Sequence, residues 1–179
     1  MKNLAVDNAW TLFLDRDGVI NKRNFDGYIT EKADFSFLPE VKSAIKSFSE
    51  IFGRIIIVTN QQGVGKNIMT KSNLDQIHRY MLNEIEKEGG RIDAIFSATN
   101  LKGAENDRRK PKPNMGLEAK KKFPEIDFNK SIMVGDTDSD IEFGTNLGMK
   151  TVLIKSQENV DLKPDFAIGK LIDLKKLLK

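Results

Sequence analysis

Short apolar runs alternate along this chain with helical patterns, and the runs end abruptly in polar residues. The first run, Trp10-Thr-Leu-Phe-Leu14, stops at Asp15, and the next, Arg54-Ile-Ile-Ile-Val58, stops at a polar and glycine-rich loop. Continuous β-branched runs are typical of parallel strands that are buried on both faces. Their alternation with helices therefore predicts an α/β fold, with an open, mainly parallel sheet and helices on both faces.

The 179 residues fit one domain, because the chain shows neither a linker nor an internal repeat. Leu74, Ile77, Met81 and Ile85 are spaced as one face of a helix, whereas His78 lies beside that face and is expected at the surface or boundary. We expect strands over residues 10–14, 54–58, 92–96, 131–134, 151–154 and 165–168. We expect helices over residues 38–52, 70–88, 117–123, 138–147 and 171–178.

Composition excludes several kinds of chemistry. The chain has no cysteine and one histidine, so thiol nucleophiles, thiolate metal sites and multi-histidine zinc sites are ruled out. Any metal must be held by carboxylates and carbonyls. The net charge of +3 is too small to indicate a nucleic-acid partner. No apolar run approaches the ~20 residues of a membrane span, which predicts a soluble, cytoplasmic protein.

The first polar cluster carries two carboxylates one residue apart, Asp15 and Asp17, where the chain leaves its first strand. Residues two apart on a strand face the same side, so both carboxylates are able to reach the same bound group. An Asp-Gly turn with solvated acids is the alternative. A calcium loop is excluded, because Asp26 stands where such a loop ends in glutamate.

Two further clusters are polar or basic. Thr59 and Asn60 follow the second strand, where the Thr59 hydroxyl is able to donate to a phosphoryl oxygen, and four cations lie in the proline-stiffened loop over residues 108–113. The alternatives are a turn and a solvated surface patch, respectively. A nucleotide-binding P-loop is excluded, because Asn60 and Asn67 replace the glycine and the hydroxyl residue that it requires.

The fourth cluster, Gly135-Asp-Thr-Asp-Ser-Asp140, returns three acids at another junction between a strand and a helix. Asp138 is well placed as the N-cap of that helix, and the other acids suit its positive end. Helix capping explains why an aspartate stands at position 138, but it does not require one at position 136.

The four clusters in this order resemble the four motifs of the haloacid dehalogenase superfamily, over residues 12–154. Asp15-Arg-Asp-Gly-Val-Ile-Asn21, Thr59-Asn-Gln61 and Arg109-Lys-Pro111 are similar to the branch that holds heptose-bisphosphate and histidinol-phosphate phosphatases. The resemblance implies a Rossmann-like sheet with its site at the carboxyl ends of the strands. It also implies a phosphatase that uses an aspartyl-phosphate intermediate.

The resemblance assigns roles to individual residues. Asp15 is implied as the nucleophile and Asp17 as the general acid–base, with Thr59 and Lys110 stabilising the transferring phosphoryl group. Mg²⁺ is implied as the cofactor, held by the Asp15 carboxylate, the Asp17 carbonyl and Asp136. The resemblance selects Lys110 over Lys112, Asp140 is expected to orient other groups, and either Arg109 or Lys112 is expected to contact the substrate. The substrate-binding candidates are Asn21, Asp26, Tyr28, Asn60, Gln61 and Arg109.

Three features of the chain bear on specificity. The connections over residues 22–38 and 98–110 are too short for an inserted cap domain, so loops are expected to shape the pocket. The stretch before Arg109 lacks the Cys/His zinc loop of close relatives, so no zinc is expected. Thr137 stands where heptose-bisphosphate enzymes tend to have lysine. This difference argues against heptose bisphosphate as the exact substrate.

The leading functional hypothesis is a Mg²⁺-dependent phosphomonoesterase acting on a small phosphorylated metabolite, such as the sugar bisphosphate heptose 1,7-bisphosphate. Histidinol-phosphate phosphatase and polynucleotide 3′-phosphatase are the alternative enzymes, and a catalytically inactive phosphate-binding scaffold is the non-enzymatic alternative. A small-molecule ester is the expected partner, without nucleic acid or membrane. The chain is expected to be a monomer or a small homo-oligomer.

Overall fold

The computed structural model describes residues 4–179, which form one six-stranded parallel sheet with helices on both faces. The strand order is β3-β2-β1-β4-β5-β6, so the first strand lies in the middle of the sheet. This architecture confirms the predicted fold class. The strands are β1 (Thr11–Leu14), β2 (Arg54–Asn60), β3 (Ala94–Ala98), β4 (Ser131–Gly135), β5 (Lys150–Ile154) and β6 (Phe166–Ile168).

The helices cover both faces of this sheet, and three short 3₁₀ segments complete the chain at Lys32–Asp34, Phe128–Lys130 and Leu171–Leu177. Thr70 caps the longest helix, where its side chain accepts from the backbone N–H of Asn73 at 3.0 Å. The helices are α1 (Val41–Ile51), α2 (Gln62–Gly65), α3 (Lys71–Lys87), α4 (Asn114–Lys122) and α5 (Asp138–Leu147).

Two hydrophobic cores lie on opposite faces of the sheet because successive strand residues point to opposite sides. Leu12 and Leu14 pack into the larger core with α1, α3 and the last 3₁₀ segment. Phe13 packs into the smaller core, which includes Met115 of α4 and Phe143 of α5. Burial on both faces explains why the strands read as unbroken apolar runs.

The register of the central strands sets the position of the site. Leu14 pairs with Ile57 of β2 on one side and with Val134 of β4 on the other. The backbone N–H of Asp15 then donates to the carbonyl of Val134 at 2.9 Å. The residues that follow β1, β2 and β4 therefore meet at the carboxyl edge of the sheet.

Several predicted boundaries were wrong. Thr59 and Asn60 are the last residues of β2 rather than a loop, because both continue the pairing with β3. The third strand lies two residues later than predicted, at Ala94–Ala98, and α4 starts earlier, at Asn114. The predicted helix over residues 38–52 begins only at Val41, since Glu40 has a φ of 61° and cannot continue a right-handed helix.

The connections after β1 and β3 contain no inserted domain within residues 4–179. The first holds only the 3₁₀ turn Lys32–Asp34, and residues 99–113 form an irregular loop. Both findings agree with the prediction that loops shape the pocket. Over the same described residues, none of the helices combines the length and apolarity required to cross a membrane.

Candidate active site

A cleft of about 1040 Å³ opens at the carboxyl edge of the sheet, where three of the four predicted polar clusters line it directly and the fourth contributes its later acids. The cleft therefore brings together segments that are far apart in the sequence. Predicted site residues on its wall are Asp15, Asp17, Asp26, Tyr28, Asn60, Gln61, Arg109, Lys110 and Asp140. Three other predicted site residues, Asn21, Thr59 and Asp136, lie behind the wall and are 0%, 1% and 0% exposed.

Lys110 lies at the base of the cleft and binds two carboxylates. Its Nζ lies 2.7 Å from Asp15 Oδ1 and 2.6 Å from Asp140 Oδ1, and it donates to the Val58 carbonyl at 2.7 Å. Burial opposes a charged lysine here, but Asp140 and Asp15 hold the pKa of Lys110 above its ordinary value. Lys110 is therefore a buried cation in direct contact with the carboxylate after β1.

Asp15, Asp136 and Asp140 form a buried acidic cluster, with one carboxylate oxygen from each within 4.8 Å of the others. Burial is the main cause that raises the pKa of Asp15 to about 6, and the charges of Asp140 and Asp17 add to it against the opposing effect of Lys110. Burial, followed by the charges of Asp15 and Asp140, raises the pKa of Asp136 to about 8. Full ionisation of this cluster would thus place more negative charge here than its surroundings neutralise.

This cluster fits a hard divalent cation. Asp136 Oδ1 is buried and has no hydrogen-bond partner among the described residues, which leaves a carboxylate oxygen free for a ligand bond. Gly18 makes room for the acid. A Cβ at Gly18 would lie 2.1 Å from Asp136 Oδ2, and its φ of +91° is a conformation that other residues rarely adopt.

Arg23 provides partial charge compensation that the sequence did not indicate. Its Nη1 lies 3.3 Å from Asp136 Oδ2, and its Nη2 lies 3.3 Å from Glu158 Oε1. Burial opposes the charge, but Asp136 and Glu158 keep the pKa of Arg23 above its ordinary value. Arg23 therefore joins the loop after β1 to the loop after β5 across the acidic cluster.

Asp17 is held on all sides by donors. Arg16 Nη2 donates to its two oxygens at 2.9 and 2.8 Å, Asn21 Nδ2 donates at 2.9 Å and Gln61 Nε2 at 2.8 Å. Burial opposes the charge, yet the Arg16 guanidinium and these hydrogen bonds hold the pKa of Asp17 below its ordinary value. Asn21 was a substrate-binding candidate, but its side chain is fully buried beneath the cleft and donates to Asp17.

The end of β2 organises the neighbouring loop. Thr59 Oγ1 accepts a hydrogen bond from Gln61 Nε2 at 2.9 Å. Asn60 Oδ1 accepts from the backbone N–H of Lys110 at 2.9 Å, and Asn60 Nδ2 donates to the Lys110 carbonyl at 3.1 Å. Asn60 thus fixes the backbone that presents Lys110, although its side chain also reaches the cleft wall.

Asp140 orders the start of α5 while it holds Lys110. Its Oδ2 accepts from the backbone N–H groups of Asp136 and Thr137 at 3.2 and 3.1 Å, and from Thr137 Oγ1 at 2.7 Å. These contacts fix the backbone at the start of α5, and the orienting role of Asp140 in the reaction stays a prediction. The N-cap of α5 is Thr137, so the prediction of Asp138 was one residue too late. Asp138 instead accepts from the backbone of Leu162 at 2.8 Å.

Two basic residues of the loop before α4 differ in their surroundings. Lys112 is exposed and donates to the Asp107 carbonyl at 2.9 Å. Arg109 lies in the cleft wall, and its Nη1 donates to the neutral Gln62 Oε1 at 3.0 Å. Within residues 4–179, Arg109 Nε has no hydrogen-bond partner and Arg109 forms no salt bridge. Its position favours Arg109 over Lys112 as the substrate contact.

His78 was expected at the surface or boundary, and that prediction was wrong. The side chain lies within α3 and is only 8% exposed, with its Nε2 3.3 Å from Arg16 Nη1. Helical spacing placed His78 beside the apolar face correctly, but the sequence did not show that the first cluster packs on that side of the helix.

The central parallel strand that ends in a carboxylate, with a buried lysine and acidic partners from neighbouring strand ends, defines the haloacid dehalogenase class of hydrolases. The family model described as "HAD-hyrolase-like" matches residues 107–171, which contain Lys110 and Asp136. D-glycero-alpha-D-manno-heptose-1,7-bisphosphate 7-phosphatase of Mycobacterium bovis is 35% identical over 78% of this chain and 74% of its own length. The chain belongs to the haloacid dehalogenase superfamily and is a phosphatase.

Further relatives and structures agree with this assignment. D-glycero-beta-D-manno-heptose-1,7-bisphosphate 7-phosphatase of Helicobacter pylori strain J99 is 33% identical over 82% of this chain and 83% of its own length. The crystal structure of D,D-heptose 1,7-bisphosphate phosphatase from B. bronchiseptica, complexed with magnesium and phosphate, has a TM-score of 0.85. That structure is 23% identical and covers 94% of this chain and 97% of its own, which shows the shared fold.

Proposed function

We propose that this phosphatase hydrolyses a sugar bisphosphate with Mg²⁺ as cofactor and Asp15 as the nucleophile. The observation that carries the proposal is the contact between Asp15 and Lys110 beside two further buried acids. A carboxylate in this position is available for attack, while Lys110 neutralises charge that would repel an incoming phosphate. The names and coverage of the relatives support the substrate class.

Mg²⁺ would be held by the carboxylates of Asp15 and Asp136 and by the backbone carbonyl of Asp17. The unpartnered Asp136 oxygen and the raised pKa values of Asp15 and Asp136 support this donor set. A hard cation there supplies Lewis-acid stabilisation of phosphoryl oxygens and relieves the repulsion among the carboxylates. The magnesium bound in the B. bronchiseptica phosphatase structure supports the same ion.

In the first half-reaction, an Asp15 carboxylate oxygen forms a bond to phosphorus while the ester P–O bond breaks. Lys110 and Thr59 stabilise the charge on the transferring phosphoryl group. Asp17 delivers a proton to the leaving sugar oxygen. Because Asp17 rests as a carboxylate held by Arg16, that proton enters with the phosphate monoanion or from solvent and passes through Asp17.

In the second half-reaction, Asp17 takes a proton from a water molecule, which forms a bond to phosphorus as the bond to the Asp15 oxygen breaks. Inorganic phosphate leaves and Asp15 returns to its carboxylate form. The lowered pKa of Asp17 keeps the carboxylate unprotonated, as this base role requires. Gln61 contacts both Asp17 and Thr59, so it keeps the base beside the phosphoryl-binding hydroxyl.

The cleft suits a substrate with a second anionic group. Its volume of about 1040 Å³ accommodates more than a phosphate, and Arg109 lines it without an acidic partner within salt-bridge distance among residues 4–179. Asp26 and Tyr28 line the same cleft and offer hydrogen-bonding groups for sugar hydroxyls. We further propose that this ester is a small cytoplasmic metabolite, with the protein in the same compartment.

A kinetic panel with Mg²⁺ tests the proposal. It compares heptose 1,7-bisphosphate, hexose bisphosphates, the matching monophosphates, histidinol phosphate and an oligonucleotide with a 3′-phosphate. We expect the highest kcat/KM for a bisphosphate, and we expect Asp15→Asn to abolish hydrolysis of every ester. Lys112→Gln is the matched control for Arg109→Gln, and only the Arg109 variant should lower the preference for bisphosphate over monophosphate.

A preference for histidinol phosphate or for the oligonucleotide would replace the proposed substrate by that alternative. Absence of activity on the whole panel would favour a phosphate-binding scaffold and contradict the proposal. The same assay with Zn²⁺ in place of Mg²⁺ tests the metal, because the oxygen donors described here predict that Mg²⁺ supports the higher rate.

A further inference from the structure

Arg16, the residue between the two acids of the first cluster, is fully buried at 0% exposure. Arginine is almost never buried to this extent unless its charge is paired. Its Nη2 donates to both oxygens of Asp17, and its Nε donates to Asp17 Oδ1 at 3.3 Å. One edge of the guanidinium therefore fixes the plane of the carboxylate that acts as acid and base in the proposed reaction.

The other edge of the guanidinium meets the single histidine of the chain. Arg16 Nη1 lies 3.3 Å from Nε2 of His78, and both side chains are buried. A guanidinium has donors only, so His78 Nε2 must be the acceptor and the ring proton must lie on Nδ1. Burial and the charge of Arg16 lower the pKa of His78 to about 3, which keeps the ring neutral.

Packing alone does not explain a histidine at this position. Its helical neighbours Leu74, Ile77 and Met81 are fully buried and apolar, and an apolar residue at position 78 would extend that face. Such a residue would leave Arg16 Nη1 without a hydrogen-bond partner among the residues that the structure describes. The imidazole therefore supplies the hydrogen-bond acceptor that Arg16 Nη1 requires.

We propose that His78 is a positioning residue: by accepting from Arg16 it fixes the guanidinium edge that orients Asp17 toward the leaving-group oxygen. The inference rests on the proposed function, because Asp17 matters for positioning only if it transfers the proton. His78 touches neither substrate nor reacting atoms and acts through Arg16.

The first test reads the contact directly. Long-range ¹H–¹⁵N correlation spectra of this chain show the signals of one imidazole, because the chain has one histidine. We expect the neutral ring with its proton on Nδ1 at pH 7. A ring protonated on Nε2, or an imidazolium, would contradict the proposed hydrogen bond and overturn the inference.

The second test reads the effect on proton transfer. His78→Leu should lower kcat for a sugar phosphate by at least ~10-fold, while KM changes little, because positioned acid–base catalysis contributes about 100-fold or more. The first-turnover rate of p-nitrophenolate release should fall much less than the first-turnover rate with the sugar phosphate, since a phenolate leaves without full protonation. The second half-reaction, in which Asp17 acts as a base, is the same for both esters. His78→Gln supplies a carbonyl acceptor and should restore most of the sugar-phosphate rate.

Ile77→Val is the matched control, because it changes the neighbouring buried residue on α3 without touching Arg16. It should lower the melting temperature but leave the ratio of the two rates unchanged. Equal losses of the first-turnover rate on both esters in the His78 variants would show a structural role and overturn the inference. If His78→Leu does not fold, the rates of His78→Gln on the two esters and the imidazole spectrum of the wild type test the inference. Wild-type inactivity on every ester would instead refute the proposed function.

Discussion

Asp136→Asn is expected to stabilise the metal-free protein, and the gain should grow as pH rises. Burial and the neighbouring charges of Asp15 and Asp140 raise the pKa of Asp136 from 3.8 to about 8. A group whose pKa is higher in the folded state favours folding most when it is protonated, and this advantage is lost as pH rises through the folded pKa. Asparagine keeps the shape of the side chain without a carboxyl to ionise.

The magnitude follows from the same two pKa values. Below about pH 4 the Asp136 carboxyl is protonated in both states, so wild type and variant should have similar stability. Above about pH 4, the free energy of unfolding of the wild type falls by up to ~1.4 kcal/mol per pH unit. The gain of the variant over the wild type is therefore at most ~5 kcal/mol by pH 8. The ion pair with Arg23 opposes this rise in the pKa of Asp136, so its loss in the variant is already included in that bound. A gain of several kcal/mol, and at most ~5 kcal/mol, at pH 8 is the expected result.

Urea unfolding with EDTA at pH 5 and pH 8 measures this gain. Asp26→Asn is the control, because Asp26 is exposed on the rim of the cleft and its removal should change stability by less than ~0.5 kcal/mol. Mg²⁺ at 100 times its Kd should stabilise wild type by ~2.7 kcal/mol and the Asp136 variant far less. A variant less stable than wild type in EDTA at pH 8, or a gain independent of pH, would refute this reasoning.

Two other substitutions test the same site. Lys110→Met leaves Asp15 and Asp140 without their buried cation. The value of kcat should fall at least ~100-fold, and the free energy of unfolding should fall by ~3 to 5 kcal/mol. A kcat within tenfold of wild type would contradict the role of Lys110. Gly18→Ala places a Cβ 2.1 Å from Asp136 Oδ2 and should abolish the Mg²⁺-dependent rise in melting temperature. Gly103→Ala is its control, with a similar φ of +78° and no atom within 4 Å; equal Mg²⁺ responses in both variants would argue against a cation beside Asp136.

The sequence predicted the parts of the site that depend on local pattern. Asp15 and Asp136 stand out because each lies in a polar cluster directly after an apolar strand, and parallel strands end at one edge of a sheet. Lys110 was selected by the family resemblance, because spacing alone does not separate it from Lys112. The central position of β1 then brings these side chains into contact. Spacing also located the apolar face of α3, because amphipathic periodicity is encoded within a few turns.

The missed residues depend on contacts between distant segments. Arg23 meets Asp136 across 113 positions, and His78 meets Arg16 across 62, so no local spacing connects them. Arg16 was overlooked because an arginine after a strand ordinarily reaches solvent. The N-cap of α5 was misplaced by one residue because Thr137 and Asp138 are both good caps, and only the hydrogen bonds of Asp140 decide between them.

The central claim is that Asp15 becomes phosphorylated during turnover. Rapid mixing with the best ester of the kinetic panel and Mg²⁺, followed by acid quenching and peptide mass spectrometry, measures this directly. We predict that one peptide gains the mass of a single phosphoryl group at Asp15 and that the Asp15→Asn variant shows none. Turnover without a phosphorylated peptide, or with the phosphoryl group on another residue, would contradict the account.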